Sequence, residues 1–328
     1  MNAGEPAPAD LGHVVINAGD EMTFILLTGA GFSYNWGGLL ASEVFSALLA
    51  DKDIDEATRD RLFADGFEQV LADLQLSTAP DDQRRHSALL TAVVGIFNGM
   101  NNGFMNMKFE FEEPPQVPYS LQSFLSQFHA IFTLNQDALI EQHYAPVVGG
   151  ALNWGRLHLP GVKYMPGFTP TGARHDKFAM MEPNPSDFTM PTSVQPYVKL
   201  HGSVNWVESS VGQRLLIMGG QKAVSIGRYP LLTWYHAEFR KMLLRPSARL
   251  MVIGYSFSDG HINDAIADAL KQGTELFIVD PYALDVLKKD PRIAAARSQL
   301  IGFSPRPISR TFGGDRLARG QLSKFFER

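Results

Sequence analysis

The chain has 328 residues, a formal net charge of −5 and no cysteine. Its composition, 45% hydrophobic, 19% charged and 11% aromatic, is that of a folded chain and excludes a disordered tail or a collagen-like fibre. Without cysteine there are no disulfides, no thiolate zinc sites and no cysteine nucleophile. The length predicts two domains or one large α/β unit with insertions. The charge balance gives no indication of a nucleic-acid partner. The N-terminal stretch has no basic region followed by an apolar run, and no segment reaches the roughly 20 apolar residues that span a bilayer. A soluble, cytoplasmic protein with no membrane association is therefore expected.

Residues 1–20 read as an N-terminal extension. The apolar, β-prone run Met22–Thr28 ends at Gly29-Ala30-Gly31, as a strand buried on both faces of a parallel sheet would. Leu39, Leu40, Val44, Phe45, Leu48 and Leu49 then recur at helical spacing, completing the opening of a βαβ unit. Residues of about 55–128 predict a helical insertion. Within it, Asn98–Met107 shows no clear period and reads as a flexible loop, or else as a lid or partner surface. Glu110–Pro118 reads as a linker or turn.

Ala130–Leu134 is a second buried strand, followed by Asn135-Gln136-Asp137 and a short helix. A loop insertion is expected over about 155–196, because residues 160–196 hold seven prolines and no period. Further strands are expected at Tyr197–Leu200, Leu215–Met218, Arg249–Ile253 and Glu275–Val279, the last clear one, with helices over 231–244 and after Asp259. This pattern defines an α/β fold: a doubly wound, Rossmann-like parallel sheet over 21–300 and a C-terminal segment 301–328.

Ligands of such sheets bind outside the carboxyl ends of the strands. Small or polar residues occupy five of those ends. Gly29, Ala30 and Gly31 would admit a pyrophosphate, and Ser33 offers a hydroxyl donor or a helix cap. A complete dinucleotide fingerprint would have glycine where Tyr34 stands, so the turn is equally readable as a tight turn without ligand. Asn135 and Asp137 suit the gripping of ribose hydroxyls, with helix capping as the plainer role for Asp137. His201 is either a core residue or a general base. Gly254, Ser256 and Asp259 could bind phosphate or ribose, or cap a helix, and Asp280 suits an adenosine ribose.

Gly29-Ala-Gly-x-Ser33, Thr133-x-Asn-x-Asp137, Leu200-His-Gly202 and Gly254-x-Ser256 together resemble the sirtuin family, in the family's order. Gly-Tyr-Ser-x-x-Asp at 254–259, Asn263 just after it, and Phe67-Glu68 resemble more narrowly the bacterial sirtuin-like proteins of antiphage defence. The family's four-cysteine zinc ribbon has no counterpart here, and Asn35-Trp-Gly-Gly-Leu-Leu40 replaces the loop that deacylases place after the glycine turn. What the resemblance implies is an NAD glycohydrolase with NAD as substrate, no zinc, and Asn135 and His201 as catalytic residues. It further implies control by homo-oligomer assembly or by a partner such as a HerA-type ATPase. A protein deacylase or ADP-ribosyltransferase, and a non-catalytic NAD or ADP-ribose-binding subunit, are the alternatives.

Overall fold

The computed structural model describes residues 22–112, 120–144, 157–167, 180–219 and 221–327. Its strands are β1 (Thr23–Thr28), β2 (Ala130–Thr133), β3 (Leu157–His158), β4 (Val162–Tyr164), β5 (Met181–Pro183), β6 (Gln195–Lys199), β7 (Gly202–Glu208), β8 (Gln213–Leu216), β9 (Ala248–Ile253), β10 (Glu275–Val279) and β11 (Leu300–Ser304). Seven of them form one sheet in the order β11-β10-β9-β1-β2-β6-β3. All of its pairings are parallel. Ile25, Leu26 and Leu27 of β1 are fully buried, as a central strand covered on both faces requires. From β1 the chain moves outward through β2 to β6, then returns to the other side for β9, β10 and β11. The strand order therefore reverses between β1 and β9, where doubly wound sheets open their ligand crevice.

Between about 55 and 128 the described chain forms the helices Glu56–Asp65, Phe67–Leu76, Pro80–Met105 and Leu121–Leu125. The expected loop at Asn98–Met107 is a correction, because the long helix runs on through Met105. Phe97, Met100, Asn101 and Phe104 are buried at helical spacing. The polar Asn101 masks the period because it lies inside, where its Oδ1 accepts from the Ala138 amide at 2.8 Å.

The proline-rich insertion is not wholly a loop. Its described part supplies β3, β4 and β5, and the latter two join β7 and β8 in a mixed four-stranded sheet of order β4-β5-β7-β8. Strands of two or three residues are too short to show an alternating pattern. The N-terminal extension 1–20, most of the Glu110–Pro118 linker and part of the proline-rich insertion lie outside the described residues.

One strand follows the last one expected: β11 pairs with β10 through a register shift at Leu276/Phe277. Beyond it, Phe325 and Phe326 pack on Phe24 and Phe128, closing the amino end of the sheet. No helix among the described residues is long and apolar enough to cross a membrane.

Candidate active site

Strand register brings the predicted residues to one edge. Val279, Ile253, Thr28, Thr133 and Lys199 are partners across five adjoining strands. The ladder continues one residue further: the amides of Gly254, Gly29, Leu134 and Leu200 donate to the carbonyls of Val279, Ile253, Thr28 and Thr133 at 3.0, 3.0, 2.9 and 2.9 Å. Every predicted site residue lies at or just past this row.

The glycines face one another. Gly31 N–H donates to Gly254 O at 3.0 Å. A Cβ on Gly254 would stand 2.4 Å from Gly31 C and 2.5 Å from Phe32 N, and its φ is +63°. These glycines are thus needed for two strand-end turns to touch, and in the turn expected to admit a pyrophosphate the Gly29 and Gly31 amides are already bonded to backbone. Gly254→Ala is expected to cost more than about 1 kcal/mol through the backbone conformation alone, with the clash adding to it. Urea denaturation measures this, and unchanged stability would contradict the close approach.

Ser33, Asn135 and Asp137 form one cluster. Asn135 Nδ2 donates to Ser33 Oγ at 2.9 Å, and Ser33 in turn hydrogen-bonds the Asp137 carboxylate. A serine has one proton to give, and Asp137 takes it, so Asn135 must present its N–H side to Ser33. Its Oδ1 has no hydrogen-bond partner among the described residues. Asp137 is buried, and its Oδ1 also accepts from the Leu139 amide at 3.0 Å. Burial pushes its pKa up, and the Lys199 ammonium pulls it back part of the way.

His201 occupies the two-residue corner between β6 and β7, where the chain leaves the parallel sheet for the smaller one. Gly202 makes that corner possible: its φ is +73°, and a Cβ there would lie 2.0 Å from Leu215 O. The corner abuts Asn135. Leu200 N–H donates to Thr133 O at 2.9 Å and Val204 N–H to Gln136 O at 3.1 Å, bracketing Asn135 on one side and His201 on the other. The His201 Nε2 lies 3.0 Å from His261 Nε2. Burial, and then the nearby Lys222 charge, push the His201 pKa well below 6.5, so the ring is neutral at neutral pH.

The sequence reading missed the residues around His201. Lys222 Nζ is 2.7 Å from Asp259 Oδ1 and 3.1 Å from Glu68 Oε1. Three distant segments are thereby tied together, and Phe67-Glu68 is brought to the site by its charge. Burial lowers the Lys222 pKa, but the two carboxylates more than offset this, so it stays charged. Asp259 stands at the N-cap of the helix Gly260–Lys271 without a side-chain capping bond, because its carboxylate is spent on Lys222. Ligand-type atoms of His201, Asp259 and His261 lie within 4.8 Å of one another. Lys222 already supplies the positive charge that a metal ion would bring to Asp259, so this set is read as an ion-paired imidazole cluster. His261 stands two positions past the Gly254–Asp259 motif, and its place in the first turn of the helix that follows was the available signal.

Asn263 clamps the loop that carries these groups. Its Nδ2 donates to Phe257 O at 2.9 Å, and its Oδ1 accepts from Tyr255 O–H at 3.0 Å. The bond holds Phe257 at φ 53°, a left-handed conformation that costs energy in a non-glycine residue. Ala30 and Ser256 are exposed at the edge, the latter with its Oγ 2.6 Å from Ser258 Oγ. Asp280 stands on the far side of β9, its Oδ1 accepting from the Tyr282 amide at 2.8 Å, and burial raises its pKa. The structure thus joins Ser33, Asn135 and Asp137, sets His201 and Asp259 beside them, and leaves Asp280 apart.

The third ring, His236, donates from Nε2 to Leu200 O at 2.9 Å, since a carbonyl can only accept. Burial pushes its pKa down to about 4 and lowers that of His261 as well. The folded state therefore resists protons that the unfolded chain takes up near 6.5. The stability these rings contribute is complete above pH 6.5 and is lost as the pH falls toward the folded values. For His236 the linkage amounts to on the order of 3 kcal/mol. The urea midpoint is expected to drop between pH 7 and pH 5, and to drop less in His236→Gln, which keeps the donor to Leu200 O. An identical drop in that variant would contradict the assignment.

The fold and the edge cluster define an α/β protein with a cluster of polar side chains at the switch point of a parallel sheet. A family model described as SIR2-like domain matches residues 129–301, and the chain belongs to that family. Among solved structures, a Sir2 homologue in complex with NAD is similar, with 12% identity, coverage of 92% of this chain and 90% of that one, and a TM-score of 0.43. Sir2 in complex with the inhibitor EX-527, 2'-O-acetyl-ADP-ribose and a deacetylated p53 peptide gives 12% identity, 92% and 93% coverage and a TM-score of 0.38. Sir2Tm bound to a propionylated peptide gives 11%, 92% and 92%, and 0.38. No curated protein matches significantly.

Proposed function

We propose that the protein is an NAD+ glycohydrolase that cleaves the nicotinamide–ribose bond to give nicotinamide and ADP-ribose. The observation that carries this reading is the convergence of Asn135 and His201, 66 positions apart in sequence, on adjoining segments at the carboxyl edge of the sheet. Membership of the SIR2-like family, one of whose similar solved structures holds NAD, supports the choice of substrate.

The nicotinamide of NAD+ leaves as a neutral molecule, because the electron pair of the breaking C1'–N bond discharges the ring nitrogen. No general acid is required. The ribose becomes oxocarbenium-like, and water must add to C1' and lose a proton. Asn135 suits the positioning of that water or of the ribose hydroxyls. Ser33 and Asp137 fix its amide, and its Oδ1 is left as an acceptor. His201 suits the base, since burial keeps it neutral and able to accept a proton. Gly29, Ala30, Gly31, Ser33, Asp137, Gly254, Ser256, Asp259 and Asp280 are proposed to line the dinucleotide site. The glycines act by letting the two turns approach and Asp259 by holding Lys222.

Depletion of NAD would suit a bacterial antiphage role. A cytoplasmic enzyme of this kind would be held in check by homo-oligomer assembly or by a partner such as a HerA-type ATPase. Incubation with NAD+ and chromatography of the products tests the activity. Nicotinamide with free ADP-ribose supports it. An acyl-ADP-ribose formed only with an acyl-lysine peptide favours a deacylase, and binding without nicotinamide release favours a non-catalytic subunit.

A further inference from the structure

His201 is 3% exposed, and a base that takes a proton in such a place must pass it on before it can act again. The proton has one side-chain exit within hydrogen-bond range among the described residues. His201 Nε2 faces His261 Nε2 at 3.0 Å, and His261 is only half-buried. Two facing ring nitrogens at this distance share a single proton, so one ring donates and the other accepts. The His201 Nδ1 has no hydrogen-bond partner among the described residues.

We propose that His201 and His261 form a two-imidazole proton relay in which His261 carries the charge; this rests on the hydrolase reading given above. In the resting state His201 holds its proton on Nε2 and donates it to His261 Nε2, leaving Nδ1 as the base. When Nδ1 takes the proton released by water or a ribose hydroxyl, the Nε2 proton crosses to His261 Nε2. One N–H bond forms at each ring and one breaks at His201, which ends as the other neutral tautomer. The positive charge resides on His261, which sheds its Nδ1 proton to solvent. The rings return to their starting tautomers when the Nε2 proton passes back from His261 to His201, the His201 Nδ1 proton leaves to water and His261 Nδ1 takes one from solvent.

The surrounding charges favour this division. His201 faces Lys222, from the helix Lys222–Ile226, with His236 from the helix Pro230–Leu243 nearby, and both oppose a cation on it; the Asp259 carboxylate, within 4.8 Å of His201 as of His261, is held by the Lys222 ammonium at 2.7 Å. Around His261 stand Lys222 and Arg240, opposed by Asp259 and Asp264 on its own helix and the segment before it. Glu68, from the helix Phe67–Leu76, reaches this group through Lys222. His201 thereby works as a base without becoming charged, and His261 acts through it as a positioning residue.

Two measurements test the relay. In His261→Ala, kcat for nicotinamide release is expected to fall about 10²-fold, the lower end of what a positioned proton transfer supplies, with KM little changed. Added imidazole is expected to restore it, while the wild type is indifferent to imidazole. Unchanged kcat, or a loss that imidazole does not repair, overturns the proposal. The second measurement needs no turnover: nitrogen-15 NMR of histidine-labelled full-length protein across an acid titration. His261 is expected to become doubly protonated while His201 stays neutral and shifts from the Nε2–H to the Nδ1–H tautomer, and the His201 signals are expected to follow His261 and cease to do so in His261→Ala. A proton that settles on His201 first, or a His201 titration untouched by the substitution, overturns the relay. Failure of the wild type to release nicotinamide would sink the hydrolase reading instead, with the NMR result still deciding whether the rings are coupled.

Discussion

Asn135→Ala and His201→Ala each lose at least about 10²-fold in nicotinamide release while the fold survives, the span that positioned proton transfer and water placement supply. Survival is expected because neither side chain is a packing centre. Asn135 is half-buried and bonded to one serine, and His201 hydrogen-bonds one imidazole and stacks near another at a corner. Asn135→Asp makes a sharper control. Ser33 then faces a carboxylate on each side and cannot satisfy both with one proton. The added negative charge beside buried Asp137 further raises the latter's pKa. Release of nicotinamide by purified His201→Ala at a near wild-type rate would refute the assignment of the base.

Lys199→Met is the largest expected blow to stability. The Lys199 side chain is fully buried, with its Nζ 2.7 Å from Glu141 Oε1, and Tyr197 O–H adds a 3.3 Å bond to the other carboxylate oxygen. Lys199 also donates to the Asp137 carbonyl. Removing the ammonium strands a carboxylate among β2, β6 and the helix Leu139–His143, at a cost of about 3–5 kcal/mol. That is a third or more of the stability of many domains. The double variant Lys199→Met with Glu141→Leu removes the stranded charge as well and is expected to recover most of the loss, since an apolar replacement of a buried pair is often neutral. Urea unfolding of the two variants compares them, and equal stability of the single variant and the wild type would show that the pair is not desolvated. The substitution also reaches the site: without Lys199, Asp137 protonates more readily and no longer dictates which way Ser33 directs its hydrogen.

The central sheet was legible because parallel strands buried on both faces are continuous apolar runs that stop abruptly at glycine or a polar residue. Met22–Thr28, Arg249–Ile253 and Glu275–Val279 all do so. That they end in one row required only that the strands be in register, which the β1, β2, β6, β9 and β10 pairings supply. β11 was illegible because it is an edge strand, with Ile301 and Phe303 partly exposed and Gly302 at a bulge. The glycines were found for one reason and are needed for another, since a single strand end does not reveal that a second turn lies against it. Lys222 and His261 were missed as site residues because an ion pair over 154 positions and an imidazole–imidazole hydrogen bond over 60 leave no local period.

The tie of Glu68 to Lys222 and of Lys222 to Asp259 has a bearing on synthesis. A nascent chain that has not yet cleared residue 261 from the ribosome lacks the second imidazole and the carboxylate that neutralises Lys222. One that stops short of Ser304 leaves β10 without its outer neighbour. Truncated products, whether from stalled translation or from proteolysis within the last third of the polypeptide, would on this account lack the nicotinamide-releasing activity proposed for the chain.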